Sequence, residues 1–251
     1  MSTNKLKIPK RATEITPFYV MDILEKAKEM EAAGKDVIHL EVGEPDFQTP
    51  DCIKEKAIKT ITEGKLGYTP SLGLIELRKA IAGRYKEKYG VNILPEQVVV
   101  TSGSSPALQM VFSCLLEEGD EVIMTDPHYA CYSNFVKFLG GKPLLIKTEE
   151  DENFRLSPDE IKKNMTGKSK VILINSPANP TGVVMSAADM EAVSALGLTV
   201  ISDEIYHGLV YDGNEHSILE FDKDAFVIDG FSKRYAMTGW RLGYAVVPQR
   251  Y

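Results

Sequence analysis

The chain has 251 residues, of which 43% are hydrophobic and 26% are charged, a composition typical of globular rather than disordered or membrane-embedded proteins. Its formal net charge is −7, so it lacks the basic surplus that binds nucleic acid or an anionic membrane, and we expect a small-molecule substrate. Residues 1–11 lack the apolar core of a signal peptide, and no later run reaches the ~20 apolar residues of a spanning helix, so we expect a cytoplasmic protein.

Helix-like patterns come first along the chain, at residues 18–33, 51–62 and 74–89. We interpret residues 1–45 as an N-terminal arm and lead-in segment, and residues 46–251 as the main domain. From residue 98 onward, short β-branched runs bounded by Gly and Pro alternate with amphipathic stretches, which predicts an α/β fold with a largely parallel sheet between helices. The predicted strands are residues 98–100, 121–124, 142–146, 171–174, 198–201, 226–228 and 242–247.

The cysteines and histidines indicate no metal site. Three cysteines at wide spacings suit neither a disulfide framework nor a zinc knuckle. The four histidines include no helical i, i+4 pair of the kind that binds zinc. We therefore predict that the protein holds no metal.

The segment Thr-Ser-Gly-Ser-Ser, residues 101–105, lies between a predicted strand and a helix that we expect Pro106 to open. Free backbone N–H groups at a helix start, together with the positive end of the helix dipole, can bind a phosphate there. The serines could equally be simple helix caps. The residues of interest are Gly103, Ser104 and Ser105.

Two further polar segments follow predicted strands, at the edge where α/β sheets bind ligands. Asn179 begins Asn-Pro-Thr-Gly after strand 171–174, although that tetrapeptide alone is more typical of an ordinary turn. Asp203 and Tyr206 follow strand 198–201 and, three residues apart in a helical turn, would face the same side. A helix cap with a half-buried tyrosine explains the second segment equally well.

A lysine also follows a predicted strand. Lys233 comes shortly after strand 226–228, where desolvation and neighbouring cations would lower its pKa, and a neutral amine attacks an aldehyde to give an imine. Arg241, eight residues later, offers a fork of donors for a phosphate. Without such neighbouring groups, a lysine is usually a solvated surface charge.

In combination, these segments resemble the pyridoxal-phosphate (PLP) dependent aminotransferases of class I/II, from about residue 15 to 251. The resemblance implies the fold type I large domain, a three-layer α/β/α structure with a mostly parallel mixed sheet, and PLP as the cofactor. The motifs, all in family order, are Gly-Glu-Pro-Asp-Phe (43–47), Gly-Tyr-Thr-Pro (67–70), Thr-Ser-Gly-Ser (101–104), Asp-Pro-His-Tyr (126–129), Asn-Pro-Thr-Gly (179–182), Asp-Glu-Ile-Tyr (203–206) and Ser-Lys (232–233).

The resemblance also implies roles for residues around the cofactor ring. Lys233 would form a Schiff base with PLP and later move the proton between the substrate Cα and the cofactor. Asp203 would pair with the pyridine nitrogen and keep it protonated, so that the ring accepts electrons. Asn179 and Tyr206 would hydrogen-bond the phenolic oxygen, and Tyr129 would stack on the ring. Lys233, Asp203 and Tyr206 are therefore the implied catalytic residues.

The implied phosphate site lies on the backbone N–H groups of Gly103 and Ser104, with Ser105 beside them. The Ser232 hydroxyl would add a donor and Arg241 a charge, because the phosphate dianion requires neutralisation.

Two implications reach beyond one cofactor. Tyr68 would contact the phosphate of the partner subunit's cofactor, which makes a homodimer the expected unit. Gly43 and Asn179 would lie beside the substrate carboxylate, and the substrates would be an amino acid and a 2-oxo acid.

The sequence departs from the family pattern in three places. Family members continue into a small C-terminal domain with an arginine that binds the substrate carboxylate, so we expect that domain to be absent or truncated here. Gly230 stands where many relatives have a phosphate-binding serine. Residues 179–203 are shorter than usual by about one helical turn, taken from the predicted helix at 187–196, which predicts a tighter crossover.

Three functions remain open at this stage. The first is an aminotransferase, which the Met-Thr-Gly-Trp-Arg segment at 237–241 favours, with a broad or aspartate-like preference and possible loss of activity through truncation. The second is a PLP-dependent C–S lyase or a synthase acting on a sulfur amino acid, because the same cofactor permits elimination. The third is a non-catalytic module for PLP binding or dimerisation.

Overall fold

A sheet of seven strands lies at the centre of the protein in the computed structural model, which describes residues 7–64 and 66–251. Each strand lies where an apolar run predicts one, because β-branched and other apolar residues fit a sheet that is covered on both faces. The strands are β1 Val98–Thr101, β2 Glu121–Asp126, β3 Lys142–Lys147, β4 Ser169–Asn175, β5 Thr199–Asp203, β6 Phe226–Gly230 and β7 Gly243–Val246.

Helices precede and connect the strands. They are α1 Lys10–Glu14, α2 Tyr19–Ala32, α3 Asp51–Glu63, α4 Ile75–Tyr89, α5 Ser104–Leu115, α6 Cys131–Phe138, α7 Pro158–Asn164 and α8 Ala187–Ser194. The bounds of α2, α3 and α4 agree with the predicted stretches to within one residue. One prediction is wrong: Pro106 does not open α5, because Gly103 takes the N-cap position with φ of 104° and the helix begins at Ser104.

The strand order across the sheet is β1-β7-β6-β5-β4-β2-β3. Neighbouring strands are parallel, except that β7 is antiparallel to both β1 and β6. This arrangement confirms the mostly parallel mixed sheet. Because β7 runs against the other strands, it begins at the same edge at which they end, and the residues just before Gly243 therefore lie at the carboxyl edge of the sheet.

Each face of the sheet packs on its own layer of helices, which confirms the three-layer α/β/α prediction. One core joins the sheet to α4, α7 and α8 through residues such as Tyr85, Ile161 and Met190. The other joins it to α5 and α6, with Phe112 and Tyr132 among its buried side chains. Because side chains alternate along a strand, consecutive residues at a strand end face different layers.

The N-terminal segment crosses the outside of α6. Thr16 and Asn134 exchange hydrogen bonds of 2.9–3.2 Å, and the ring of Phe18 meets the ring of Tyr129 edge-on at 6.0 Å. Within the described residues, none of the helices combines the length and the apolar character that crossing a membrane requires.

Candidate active site

The carboxyl ends of the parallel strands and the start of β7 meet at one edge of the sheet. In the ladder, Asn175 of β4 is opposite Asp203 of β5, and Gly243 of β7 lies between Thr101 and Gly230. This edge therefore receives residues that are far apart in the chain. The predicted residues in the segments that leave or enter this edge are Gly103, Ser104, Ser105, Tyr129, Asn179, Asp203, Tyr206, Ser232, Lys233 and Arg241.

Lys233 lies in the turn that follows β6, and its side chain is half-buried. Its Nζ donates a hydrogen bond of 2.7 Å to the carbonyl oxygen of Gly43 and lies 5.9 Å from the centre of the Tyr206 ring. Burial lowers the pKa of Lys233, against a smaller opposing effect of the Glu44 carboxylate. A larger fraction of this amine is therefore neutral, and so nucleophilic, than for a solvated lysine.

Asp203, the last residue of β5, is a buried carboxylate with a 3% exposed surface. Its Oδ2 accepts a hydrogen bond of 2.7 Å from the Tyr132 hydroxyl, and its Oδ1 accepts one of 3.1 Å from the Ile205 N–H. Burial raises the pKa of Asp203 to about 6, although both hydrogen bonds favour the charged form. A cationic N–H partner would be strongly favoured beside such a group.

Asn179 and Tyr206 are held together beside Asp203. The Asn179 side-chain amide donates to the Tyr206 hydroxyl oxygen at 3.1 Å. Asn175 links the two strand ends, since its amide oxygen accepts from the Asn179 N–H at 2.7 Å and its Nδ2 donates to the Asp203 carbonyl at 2.9 Å. Burial raises the pKa of Tyr206, so this phenol stays protonated at neutral pH and keeps a proton to donate.

The start of α5 forms a cradle with Arg241. A Cβ on Gly103 would lie 2.5 Å from Nη2 of Arg241, and a Cβ on Gly243 would lie 2.7 Å from the backbone N of Ser104. Only glycine fits at these positions. Among the described residues, no side chain caps this helix start, and Arg241 is fixed by donation from Nη1 to the Thr238 carbonyl at 2.8 Å. Free helix N–H groups and a guanidinium together suit a phosphate.

The other predicted cofactor residues surround this centre. Ser105, in the first turn of α5, and Ser232, next to Lys233, are both half-buried. Tyr129 packs edge-on against Tyr132 at 5.3 Å, and burial raises its pKa. At Gly230 a Cβ would lie 3.1 Å from Ile205 Cδ1 and from the Leu242 carbonyl oxygen, so a serine there would require its neighbours to shift.

The structure does not bring Tyr68 to this centre. Tyr68 lies in the loop between α3 and α4, and its side chain is fully exposed. Such exposure leaves it free to contact another molecule.

Sequence reasoning missed two residues that organise the site, Tyr132 and Asn175. The signal for Asn175 is its position directly after the predicted strand 171–174, among other strand-end polar residues. The signal for Tyr132 is weaker: it follows Tyr129 by three residues, a spacing that places two side chains on the same side of a helical turn.

Comparison with known proteins assigns this chain to a family. A family model described as aminotransferase class I and II matches residues 35–251. The chain is 44% identical over 242 residues to (5-formylfuran-3-yl)methyl phosphate transaminase of Methanocaldococcus jannaschii, covering 95% of this chain and 63% of that protein. It is 42% identical over 253 residues to aspartate aminotransferase of Geobacillus stearothermophilus, covering 97% and 64% respectively.

The solved structures agree with the sequence relatives. Aspartate aminotransferase from Thermus thermophilus with maleate has a TM-score of 0.94 and 35% identity, over 97% of this chain and 65% of that chain. The chain therefore spans less than two thirds of the length of these relatives.

Proposed function

Because the chain belongs to the aminotransferase class I and II family, we propose that it carries the cofactor-binding part of a PLP-dependent amino-acid:2-oxo-acid aminotransferase. Residues 46–251 form the cofactor-binding domain, and residues 1–45 form the arm and lead-in segment. The observation that supports this best is the meeting, at one sheet edge, of a half-buried lysine, a buried aspartate and a helix start with an arginine beside it.

The residues at this edge fit PLP in both chemistry and shape. The cradle at Gly103, Ser104 and Arg241 leaves no space for side chains but presents N–H donors and a cation, as a phosphate requires. Asp203 is a buried carboxylate, and burial raises its pKa because the charged form is poorly solvated. A protonated ring nitrogen would stabilise that charged form. Family members are generally PLP-dependent, which agrees with this assignment.

When bound, PLP supplies an aldehyde that reacts with amines and a ring that accepts the electrons released when a substrate Cα loses its proton. Lys233 would supply the amine that holds the cofactor and would carry a proton to and from the substrate Cα. Its lowered pKa suits both tasks. The Asp203 carboxylate would stabilise the protonated ring nitrogen, and Tyr129 would pack against the ring.

The remaining side chains orient the cofactor. The Tyr206 hydroxyl would donate a hydrogen bond to the ring oxygen, and Asn179, whose side-chain amide donates to Tyr206, would add a second donor. Ser232 adds a hydroxyl to the phosphate cradle, and Ser105 extends its helix start. The carbonyl oxygen of Gly43 accepts from Lys233. Gly43 and Asn179 would lie beside the substrate carboxylate.

We assign the working unit and substrates on the same basis. Tyr68, fully exposed here, reaches the phosphate of the partner's cofactor in a homodimer. The substrates are an amino acid and a 2-oxo acid. An aspartate-like preference agrees with the similarity to aspartate aminotransferase of Geobacillus stearothermophilus. The cytoplasmic location remains a prediction from the sequence.

A second candidate function follows from the length of the relatives. The chain spans 63% and 64% of two of them, and the residues assigned to the cofactor site lie within that part. In this alternative the residues of this chain bind PLP, whereas turnover requires residues outside it. A lyase or synthase reaction has no specific observation in its favour.

Titration with PLP tests the proposal. We expect an absorption band that is present in the wild type, absent in Lys233→Ala and retained in Lys223→Ala, the removal of an exposed lysine elsewhere. A band that survives Lys233→Ala contradicts the cofactor assignment. Addition of L-aspartate should then convert the bound cofactor to its amine form with release of oxaloacetate. Binding without this conversion favours the second candidate, and release of a cleaved substrate fragment favours a lyase.

A further inference from the structure

The loop between Lys233 and Arg241 is held by residues that lie 187 to 194 positions earlier in the chain. The Thr49 hydroxyl donates a hydrogen bond of 2.6 Å to the Ala236 carbonyl and accepts one of 3.0 Å from the Trp240 indole N–H. One side chain therefore connects both ends of the 236–240 loop. A third hydrogen bond, from the Thr238 hydroxyl to the Glu44 carboxylate at 3.2 Å, joins the middle of the loop to the same segment.

This loop has an unfavourable backbone conformation at both ends. Ala236 has φ of 50° and Arg241 has φ of 56°, in the left-handed region that non-glycine residues rarely adopt. A residue in this conformation is energetically unfavourable and persists only where surrounding contacts hold it. The Thr49 hydroxyl bonds to Ala236 itself and to the residue that precedes Arg241.

Packing alone does not fix the loop. The segment and the loop enclose an open cleft of about 520 Å³ rather than a filled interface. The indole of Trp240 is 42% exposed. Within the loop Met237 is buried, whereas the hydrogen bonds of Thr49 hold the loop ends at Ala236 and Trp240.

The position of Arg241 depends on this loop. Its Nη1 donates to the carbonyl of Thr238, inside the loop, and its Nη2 lies against Gly103 at the start of α5. A shift of Trp240 or Thr238 would move the guanidinium away from the helix N–H groups.

We propose that Thr49 is a positioning residue for the phosphate end of the cofactor site: it fixes the 236–240 loop and thereby holds Arg241 at the start of α5. The proposal rests on the proposed function, because it assigns the cradle to the PLP phosphate. It does not place Thr49 in contact with the cofactor.

The test compares PLP with pyridoxal, which has the same ring and aldehyde but no phosphate. We expect Thr49→Val, which keeps the side-chain shape but removes the hydroxyl, to weaken PLP binding about tenfold and pyridoxal binding less than about twofold. Thr49→Ser retains the hydroxyl and should restore PLP affinity. Trp240→Phe removes only one of the two hydrogen bonds and should weaken PLP binding by an intermediate factor.

Fluorescence reports on the loop without any cofactor, because Trp240 is the chain's single tryptophan. Its emission should move to longer wavelength in Thr49→Val and remain at the wild-type wavelength in Thr49→Ser. The matched control is Thr60→Val, since the Thr60 hydroxyl also bonds a backbone carbonyl, that of Lys56, but on α3 away from the loop. It should change neither emission nor affinity.

Two results overturn the proposal while leaving the proposed function intact: wild-type PLP affinity in Thr49→Val, or an equal loss of PLP and pyridoxal binding. If Thr49→Val does not fold, the same comparison is made with Trp240→Phe, whose unchanged preference for PLP over pyridoxal would overturn it. Failure of the wild-type protein to bind PLP at all rejects the proposed function, and this inference with it.

Discussion

The end of β5 and the turn that follows it, residues 203–207, present two different polar faces. Asp203 and Tyr206 face the candidate site, where they contact Tyr132 and Asn179. Glu204 and His207 lie among buried polar groups on the α4 side of the sheet, and His207 Nδ1 lies 2.7 Å from the hydroxyl of Tyr89 in α4. Asp203 and Tyr206 thus form the site face of this segment, and Glu204 and His207 form its opposite face.

Both faces carry strongly shifted pKa values. Burial raises the pKa of Asp203 to about 6 and that of Glu204 to about 8, and it lowers the pKa of His207 to about 3. On this criterion the α4 side is the more perturbed, although no predicted cofactor residue lies there.

The difference between the faces is access. Glu204 is completely buried, and its Oε1 accepts hydrogen bonds from Ser202, Ser217 and the Ile218 N–H, so its surroundings are closed. Asp203 instead lies beside half-buried Tyr206 at an edge that an arginine and a free helix start also line. A shifted pKa therefore indicates a functional residue only where other groups converge on space for a ligand.

The largest effect is expected from a substitution on the site face. Asp203→Asn should weaken PLP binding about 100-fold, because a neutral amide cannot balance the protonated ring nitrogen in a buried site. Titration of the PLP absorption band measures the affinity. Glu204→Gln, the equivalent change on the opposite face, is the matched control and should alter the affinity by less than about threefold. Equal losses in both variants would contradict the functional separation of the faces.

Much of this site follows from the sequence because it lies at strand ends. Asn179, Asp203 and Lys233 each follow a predicted strand, and parallel strands end at one edge, so their proximity could be predicted without coordinates. The apolar, β-branched runs carry that information reliably, since a sheet covered on both faces requires them.

The rest depends on contacts that no local pattern encodes. An apolar run does not reveal strand direction, so the antiparallel β7, which delivers Arg241 to the site edge, could not be predicted from residues 242–247. The start of α5 was misplaced at Pro106, because the conformation of Gly103 decides it. Tyr132 reaches Asp203 only through the packing of α6 on the sheet.

The second prediction concerns the pH dependence of the opposite face. The pKa of Glu204 is about 8 in the folded state against an ordinary value of 4.5, so the folded state binds more protons between these values and stability falls as pH rises through them. From pH 7 to pH 9 this amounts to roughly 1–2 kcal/mol, or about 4 °C in Tm.

Two neighbours of Glu204 in the same turn titrate below this pH window. Asp203, with a pKa of about 6, has lost its proton by pH 7, and His207, with a pKa of about 3, is neutral throughout. Thermal unfolding at pH 7 and pH 9 should therefore show a smaller decrease in Glu204→Gln than in the wild type. The same decrease in both proteins would rule out Glu204 as its source.

The third prediction returns to the site face with a smaller change. Tyr132→Phe removes a hydrogen bond that lowers the pKa of Asp203, so that pKa should rise from its value of about 6. PLP binding at pH 7 should weaken about fivefold, and the pH at which affinity is half lost should move upward. Tyr85→Phe, a buried tyrosine in the opposite core, serves as the control. An unshifted pH profile in Tyr132→Phe would contradict the role given to its hydroxyl.

The smallest expected effect tests whether the opposite face is purely structural. Tyr89→Phe removes the hydroxyl that lies 2.7 Å from His207 Nδ1 and 3.4 Å from Glu215 Oε1, and should lower the free energy of unfolding by about 1 kcal/mol, since these partly buried hydrogen bonds are lost. PLP affinity should stay within about twofold of the wild type, because Tyr89 contacts neither Asp203 nor Tyr206. Denaturant unfolding and PLP titration on the same samples measure both quantities. A clear loss of affinity without a loss of stability would mean that His207 transmits changes at α4 to the cofactor turn, and the two faces would then be coupled.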